Sequence, residues 1–228
     1  MGVLTITSRK GGTGKTMLAT VLAASLAEAG ADVALLDADP NGAAHRWVTA
    51  TYAGPPIPSH SEADAERLAE LLPTLAARHA ALIIDTAGFG NQAAMVAAAG
   101  ADLVLVPVTP GEGDVIEAQR TVGYVEGLGR STRRTIPVRV IPNRIRRATT
   151  LSRHVLAEID KLGLPRLQAS LSEAVAYGEI GFSGTLPREG AAADEIDKLL
   201  AELRRESWLP AAESREAGEA DSREGGKG

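Results

Sequence analysis

The stretch Ser8-Arg9-Lys10-Gly11-Gly12-Thr13-Gly14-Lys15-Thr16 holds three glycines, two lysines and three hydroxyls in nine residues. It follows an apolar run and leads into a segment of helical spacing. Glycines let a backbone turn its N–H groups inward around a phosphate, and a helix N-terminus adds partial positive charge. Lys15 is placed to reach the β- and γ-phosphates of a nucleotide, and the Thr16 hydroxyl to ligate Mg²⁺. Gly11, Gly12, Thr13, Gly14, Lys15, Thr16 and Met17 form the candidate nucleotide-contacting stretch. The strict spacing of such loops wants glycine five residues before Gly14. Arg9 stands there instead, and Lys10 is an extra lysine. A glycine-rich turn with an incidental Lys-Thr is the plainer alternative. A dinucleotide-binding turn does not fit, because no third glycine follows Gly14 at the required spacing.

Three carboxylates fall at or just past strand ends, where phosphate and metal belong in a parallel sheet. Asp85 closes Leu82-Ile83-Ile84, and Asp37 closes the run from Val33; Asp39 follows in Asp37-Ala38-Asp39-Pro40. Asp85 is the candidate to hold Mg²⁺ through water, with Thr16 and Asp37 as further metal candidates. Asp39 or Asp37 could orient an attacking water. Capping of the following helix is the plainer alternative for each of the three.

The elements that must position these groups follow from periodicity. Short apolar runs at Val3–Thr7, Val33–Asp37, Leu82–Asp85, Leu103–Val106 and Val138–Ile141 suit strands buried on both faces. Helical patterns occupy Lys15–Ala29, Glu62–Arg78, Gly111–Leu128, Thr149–Leu162 and Ala192–Trp208. The alternation predicts an α/β fold of the P-loop type: a mostly parallel sheet with helices on both faces, as one domain over 1–209. Residues 210–228, rich in Glu, Gly, Ser and Ala, read as a disordered acidic tail.

With no cysteine in 228 residues, disulfides, thiolate metal sites and a cysteine nucleophile are excluded. The four histidines show no ligand spacing. The N-terminus lacks a signal-peptide pattern, and the longest apolar stretch, Ala93 to Val108, is broken by Gly100 and Asp102. A soluble cytoplasmic protein is the expectation.

Lys10-Gly11-Gly12-Thr13-Gly14-Lys15-Thr16, Asp37-Ala38-Asp39-Pro40 and Ile84-Asp85 together resemble the ParA/MinD group of deviant-Walker ATPases over about residues 1–205. The resemblance is closest to short ParF-like ParA proteins, which begin at the phosphate loop and carry a proline-flanked stretch like Pro107-Val108-Thr109-Pro110. VirC-type proteins of conjugative DNA transfer are similar around Asp37–Trp47 and 144–153. The resemblance implies a slow ATPase using ATP and Mg²⁺. It implies an ATP-dependent homodimer, non-specific duplex DNA as a ligand, a nucleoid-associated location, and a small stimulating adaptor or centromere-binding protein as partner. Lys10 would reach the partner subunit's nucleotide, so that Lys10, Lys15 and Asp39 serve catalysis. Asp39 would sit in switch I, Asp85 would be the Walker B carboxylate, and Asn143 would lie near the adenine. Asn41 departs from the family's glutamine.

Between Gly127 and Ala157 lie eight arginines and no acid. Arg130, Arg133, Arg134, Arg144, Arg146, Arg147 and Arg153 are the candidate DNA contacts, since guanidinium forks bind phosphate oxygens well. The absence of interleaved aromatics favours duplex over single strands. A solvated face or a sheet-edge cover is the alternative. The helix ending near Trp208 is expected to pack on the core through Ile196, Leu199, Leu200 and Leu203 rather than anchor a membrane. A metabolic ATP-dependent enzyme and a VirC-type factor remain as other functions.

Overall fold

The computed structural model describes residues 2–210 apart from Phe89 and Arg147. Six strands form one sheet in the order β3-β2-β4-β1-β5-β6. They are β1 (Gly2–Ile6), β2 (Val33–Ala38), β3 (Ser59–Ser61), β4 (Ala81–Thr86), β5 (Leu103–Val108) and β6 (Val138–Pro142). Every pairing is parallel. The helices are α1 (Lys15–Glu28), α2 (Ala43–Ala50), α3 (Ala65–Arg78), α4 (Gln92–Gly100), α5 (Glu112–Ser131), α6 (Thr150–Lys161), α7 (Val175–Ser183) and α8 (Ala191–Arg205).

Strand side chains alternate between faces, and both faces are covered. Leu4, Ile6, Leu35, Ile83, Leu103 and Leu105 join residues of α1, α2, α7 and α8 in one core. On the other face Val3, Leu36, Leu82 and Ile84 meet α3 and α4, while Val104, Val106, Val138 and Val140 meet α5 and α6. This is why the strands read as unbroken apolar runs. Helix α1 is apolar nearly all round because it lies between the sheet and an outer layer. Its Leu18, Leu22 and Leu26 are fully buried, each stabilising the fold by about 1.5–3 kcal/mol.

One strand and two helix boundaries have weak local signals. Ser59-His60-Ser61 is polar and short, and becomes β3 by pairing with Leu35–Asp37. The Ala93–Val108 stretch divides into α4 and β5. Asp102 makes the break, its backbone N–H donating to the Val3 carbonyl (2.8 Å) and its carboxylate accepting from the Val3 N–H (2.9 Å). Helix α3 starts at Ala65, later than expected, because Asp64 caps it by accepting from the Glu66 and Arg67 N–H groups.

Helix α8 settles the alternative for the last helix. Ile196, Leu199, Leu200 and Leu203 are buried in the core, so its apolar face is not free for lipid. The helix ends at Arg205, and the Trp208 ring then receives the Arg139 guanidinium at 4.7 Å. Its buried Glu202 accepts from the Gln168 and Ala169 N–H groups at 2.8 and 2.7 Å, and Glu195 from that of Ser172 at 2.8 Å. These carboxylates satisfy the outer edge of segment 166–172, which runs beside β6 through bridges Val140↔Arg166 and Ile145↔Ser172. Among the described residues no helix is long and apolar enough to cross a membrane. The expected acidic tail lies outside the described residues apart from Pro210.

Candidate functional site

β1 ends at Ile6, and the chain turns through the glycine loop into α1, whose first residue is Lys15. Gly12 and Gly14 have φ of +76° and +91°, a region that strains any residue with a Cβ. A Cβ on Gly14 would also lie 2.3 Å from the Asn143 amide nitrogen. Gly14 gives α1 no side-chain cap, and the first turn carries no acid. The free N–H groups and the positive end of the dipole are therefore open to an anion.

The loop is braced from within. The buried Ser8 hydroxyl donates to the Lys10 carbonyl and pairs with the Thr13 hydroxyl, each at 2.8 Å. Asn143, at the end of β6, donates from its side chain to the Thr13 carbonyl at 2.7 Å. The Thr13 hydroxyl and carbonyl are thus both engaged within the protein. Met17 packs partly against the core. Ser8 escaped sequence reasoning, because a serine before a glycine loop carries no spacing signal of its own.

Behind the loop stand the carboxylates. β2 and β4 pair in register, so Asp37 lies beside Asp85. Asp37 is fully buried, and both its oxygens accept backbone N–H bonds, from Asp39 at 3.0 Å and His45 at 2.9 Å. It organises the turn into α2. Asp39 heads that turn, accepting from the Asn41 N–H at 2.8 Å.

Asp85 differs from both. It is fully buried, and neither carboxylate oxygen has a well-formed hydrogen bond. Burial pushes its pKa up to about 7; the Thr16 hydroxyl and the Lys15 charge pull it down, and Asp37 and Asp39 push it up. Burial lowers the Lys15 pKa, against the attraction of Asp85 and Asp39. A buried, unpartnered carboxylate beside a hydroxyl and a lysine, under an open helix N-terminus, fits a magnesium–nucleotide group. Among the described residues no group of three or more His, Asp or Glu side chains is placed to hold a metal ion.

Lys10 is not over its own loop. Its ammonium pairs with Asp114 in the first turn of α5, and Asp114 also accepts from the Thr109 hydroxyl. Arg9 reaches the same helix, pairing with Glu117 at 3.1 Å. Asp114 went unread in the sequence, although its place just after β5 makes it another carboxylate near a strand end.

The arginines do not form one stripe. Helix α5 runs back along the sheet for about 30 Å, so Arg130, Arg133 and Arg134 lie where the strands begin. Arg134 is occupied there, donating to the Ala99 carbonyl at 2.7 Å and more weakly to that of Ala101 at 3.4 Å. Arg144, Arg146 and Arg153 lie at the opposite, phosphate-loop end, after β6 and in the first turn of α6. Arg147 lies outside the described residues.

The family model described as "CobQ/CobB/MinD/ParA nucleotide binding domain" matches residues 4–187. The chain is 27% identical over 211 residues to the "Maintenance of carboxysome distribution protein A" of Halothiobacillus neapolitanus, covering 88% of this chain and 95% of that protein. It is 33% identical over 195 residues to the virC1 protein of Rhizobium rhizogenes, covering 82% and 83%. The ATP complex of a Cyanothece McdA variant superposes with a TM-score of 0.76 at 20% identity, over 92% of this chain and 98% of that one. With most of the chain matched and the phosphate loop, strand-end carboxylates and parallel sheet in place, this protein belongs to the CobQ/CobB/MinD/ParA nucleotide-binding domain family.

Proposed function

We propose that this protein is a ParA-like ATPase that positions or segregates cargo. It binds ATP with Mg²⁺ and closes into a homodimer. The dimer binds duplex DNA without sequence preference and so associates with the nucleoid. A small adaptor or centromere-binding partner then stimulates an otherwise slow hydrolysis. Magnesium, when bound, supplies charge to the phosphate oxygens. The protein's residues do the positioning: Lys15 and the α1 amides hold phosphate, and Asp39 holds the switch turn.

The observation that carries the reading is the pairing of an open phosphate loop with a second lysine, Lys10, on its rim. Lys15 already serves that loop. Lys10, with its side chain 50% exposed and tied to Asp114, is available to a facing subunit once that tie opens. The relative named for carboxysome distribution supports cargo positioning as the role. A VirC-type DNA-transfer factor is the second reading, favoured by the virC1 identity.

Sizing chromatography with ATP, ADP or no nucleotide tests it. The parent protein dimerises with ATP alone, and Lys10→Ala stays monomeric. ATP-dependent dimers of Lys10→Ala equal to the parent's would remove the cross-subunit role.

Asp39→Ala binds ATP but hydrolyses it roughly 10²-fold more slowly, as expected for a residue that orients the attacking water. Its ATP dimer persists in the column. Unchanged phosphate release would take Asp39 out of the reaction.

A further inference from the structure

We infer that Glu173 gates the arginine groove at the phosphate-loop end: it holds Arg146 in an ion pair that a DNA phosphate must displace. The inference rests on the DNA-binding reading above, and says which arginines serve it and what restrains them.

A groove of about 290 Å³ opens between the segments after β5 and β6, lined by Thr109, Arg144, Arg146, Thr149 and Glu173 among others. Its frame is rigid. The Arg146 N–H donates to the buried Ser152 hydroxyl at 3.1 Å, and its carbonyl accepts from the Thr149 N–H at 2.9 Å. Arg144 sits in a left-handed backbone conformation, φ +54°, held by its N–H donating to the Asn143 side chain at 2.9 Å. The same Asn143 grips the Thr13 carbonyl of the phosphate loop. Among the described residues the far cluster has no comparable link to that loop, and Arg134 is already committed to two carbonyls. A nucleotide-linked DNA site therefore belongs here.

Among the described residues, Glu173 is the one carboxylate lining this groove. The bridge Ile145↔Ser172 sets the two segments in parallel register, so the next residues, Arg146 and Glu173, fall side by side. The Arg146 Nε donates to the Glu173 carboxylate. With side chains 68% and 45% exposed, the pair is solvent-screened and weak. A duplex carries a dense row of phosphates and can replace a single carboxylate on the guanidinium. Glu173 thus has two effects: it occupies one phosphate-binding fork, and its charge repels the incoming backbone.

The test is a salt titration of duplex binding with the full chain and ATP, using random-sequence DNA. Glu173→Gln binds about 3- to 10-fold tighter than the parent, with a log–log salt slope steeper by about 0.9, one added phosphate contact. Glu179→Gln, an exposed charge change on α7 outside the groove, controls for net charge and stays within about 1.5-fold of the parent, since salt screens exposed charges that do not meet the ligand directly. Adding Arg146→Ala to Glu173→Gln abolishes the gain. Binding by Glu173→Gln where the parent binds nothing also supports the gate. A Glu173→Gln variant equal to the parent or to Glu179→Gln overturns the gate while leaving DNA binding intact, as does a gain that survives Arg146→Ala. If neither parent nor Glu173→Gln binds duplex at low salt, the DNA reading and the gate fall together.

Discussion

Lys15→Ala lowers ATP affinity by about 10²-fold or more, measured by calorimetric titration with Mg²⁺ present. Lys15 is the first residue of α1 and nearly buried at 8% exposure. Its ammonium is the main full positive charge behind the loop, since Lys10 is drawn away to Asp114. A charge-assisted hydrogen bond contributes about 1.5–3 kcal/mol, and each 1.4 kcal/mol is tenfold in affinity. Losing two such bonds to phosphate oxygens gives the expected drop. The loss should fall on nucleotide rather than on folding, because burial already disfavours the charged lysine. Affinity within a few-fold of the parent would mean that the α1 amides alone bind the phosphate, and would remove Lys15 from its role.

Asp85→Asn makes the nucleotide-free protein more heat-stable at pH 8 and, in a separate assay with ATP and Mg²⁺, sharply lowers turnover. The folded-state pKa of Asp85 is raised to about 7 from an ordinary 3.8. Between those values the folded protein holds a proton that the unfolded chain has released. Stability therefore falls as pH rises through this window and stays lowered above it. The cost arises because a carboxylate without hydrogen-bond partners must ionise inside the sheet. Asparagine removes the charge but buries an amide that is also poorly satisfied. The net gain at pH 8 is about 1–3 kcal/mol, or roughly 3–10 °C in Tm for a domain of this size. At pH 5 the gain shrinks, since the folded parent is then largely protonated. Thermal unfolding in EDTA at the two pH values checks this. A Tm difference independent of pH would show that Asp85 does not hold the raised proton affinity. The destabilised carboxylate fits a site kept ready for a cation.

The phosphate loop was legible in the residues because its chemistry is local. Glycines with positive φ, a lysine, a hydroxyl and a following helix act within one short segment. The same holds for the long strands and for Asp85, since a strand covered on both faces must be apolar until it ends. Ser59–Ser61 carries no such mark, because its pairing is supplied by β2. Segment 166–172 is likewise ordered by β6 and by two glutamates on α8, 23 and 34 residues away in sequence. The roles of neighbouring acids also escaped local reading. Asp37 and Asp39 differ by two positions, yet one is a buried backbone acceptor and the other heads an exposed turn. Lys10 meets Asp114 across 104 residues. Arginines close in sequence part to opposite ends of the sheet, because β6 carries the chain across it between Arg134 and Arg144. Residue pattern reports which face of an element is buried. Which elements meet, and which charges they bring together, depends on strand order and crossover length, and no single segment carries that information.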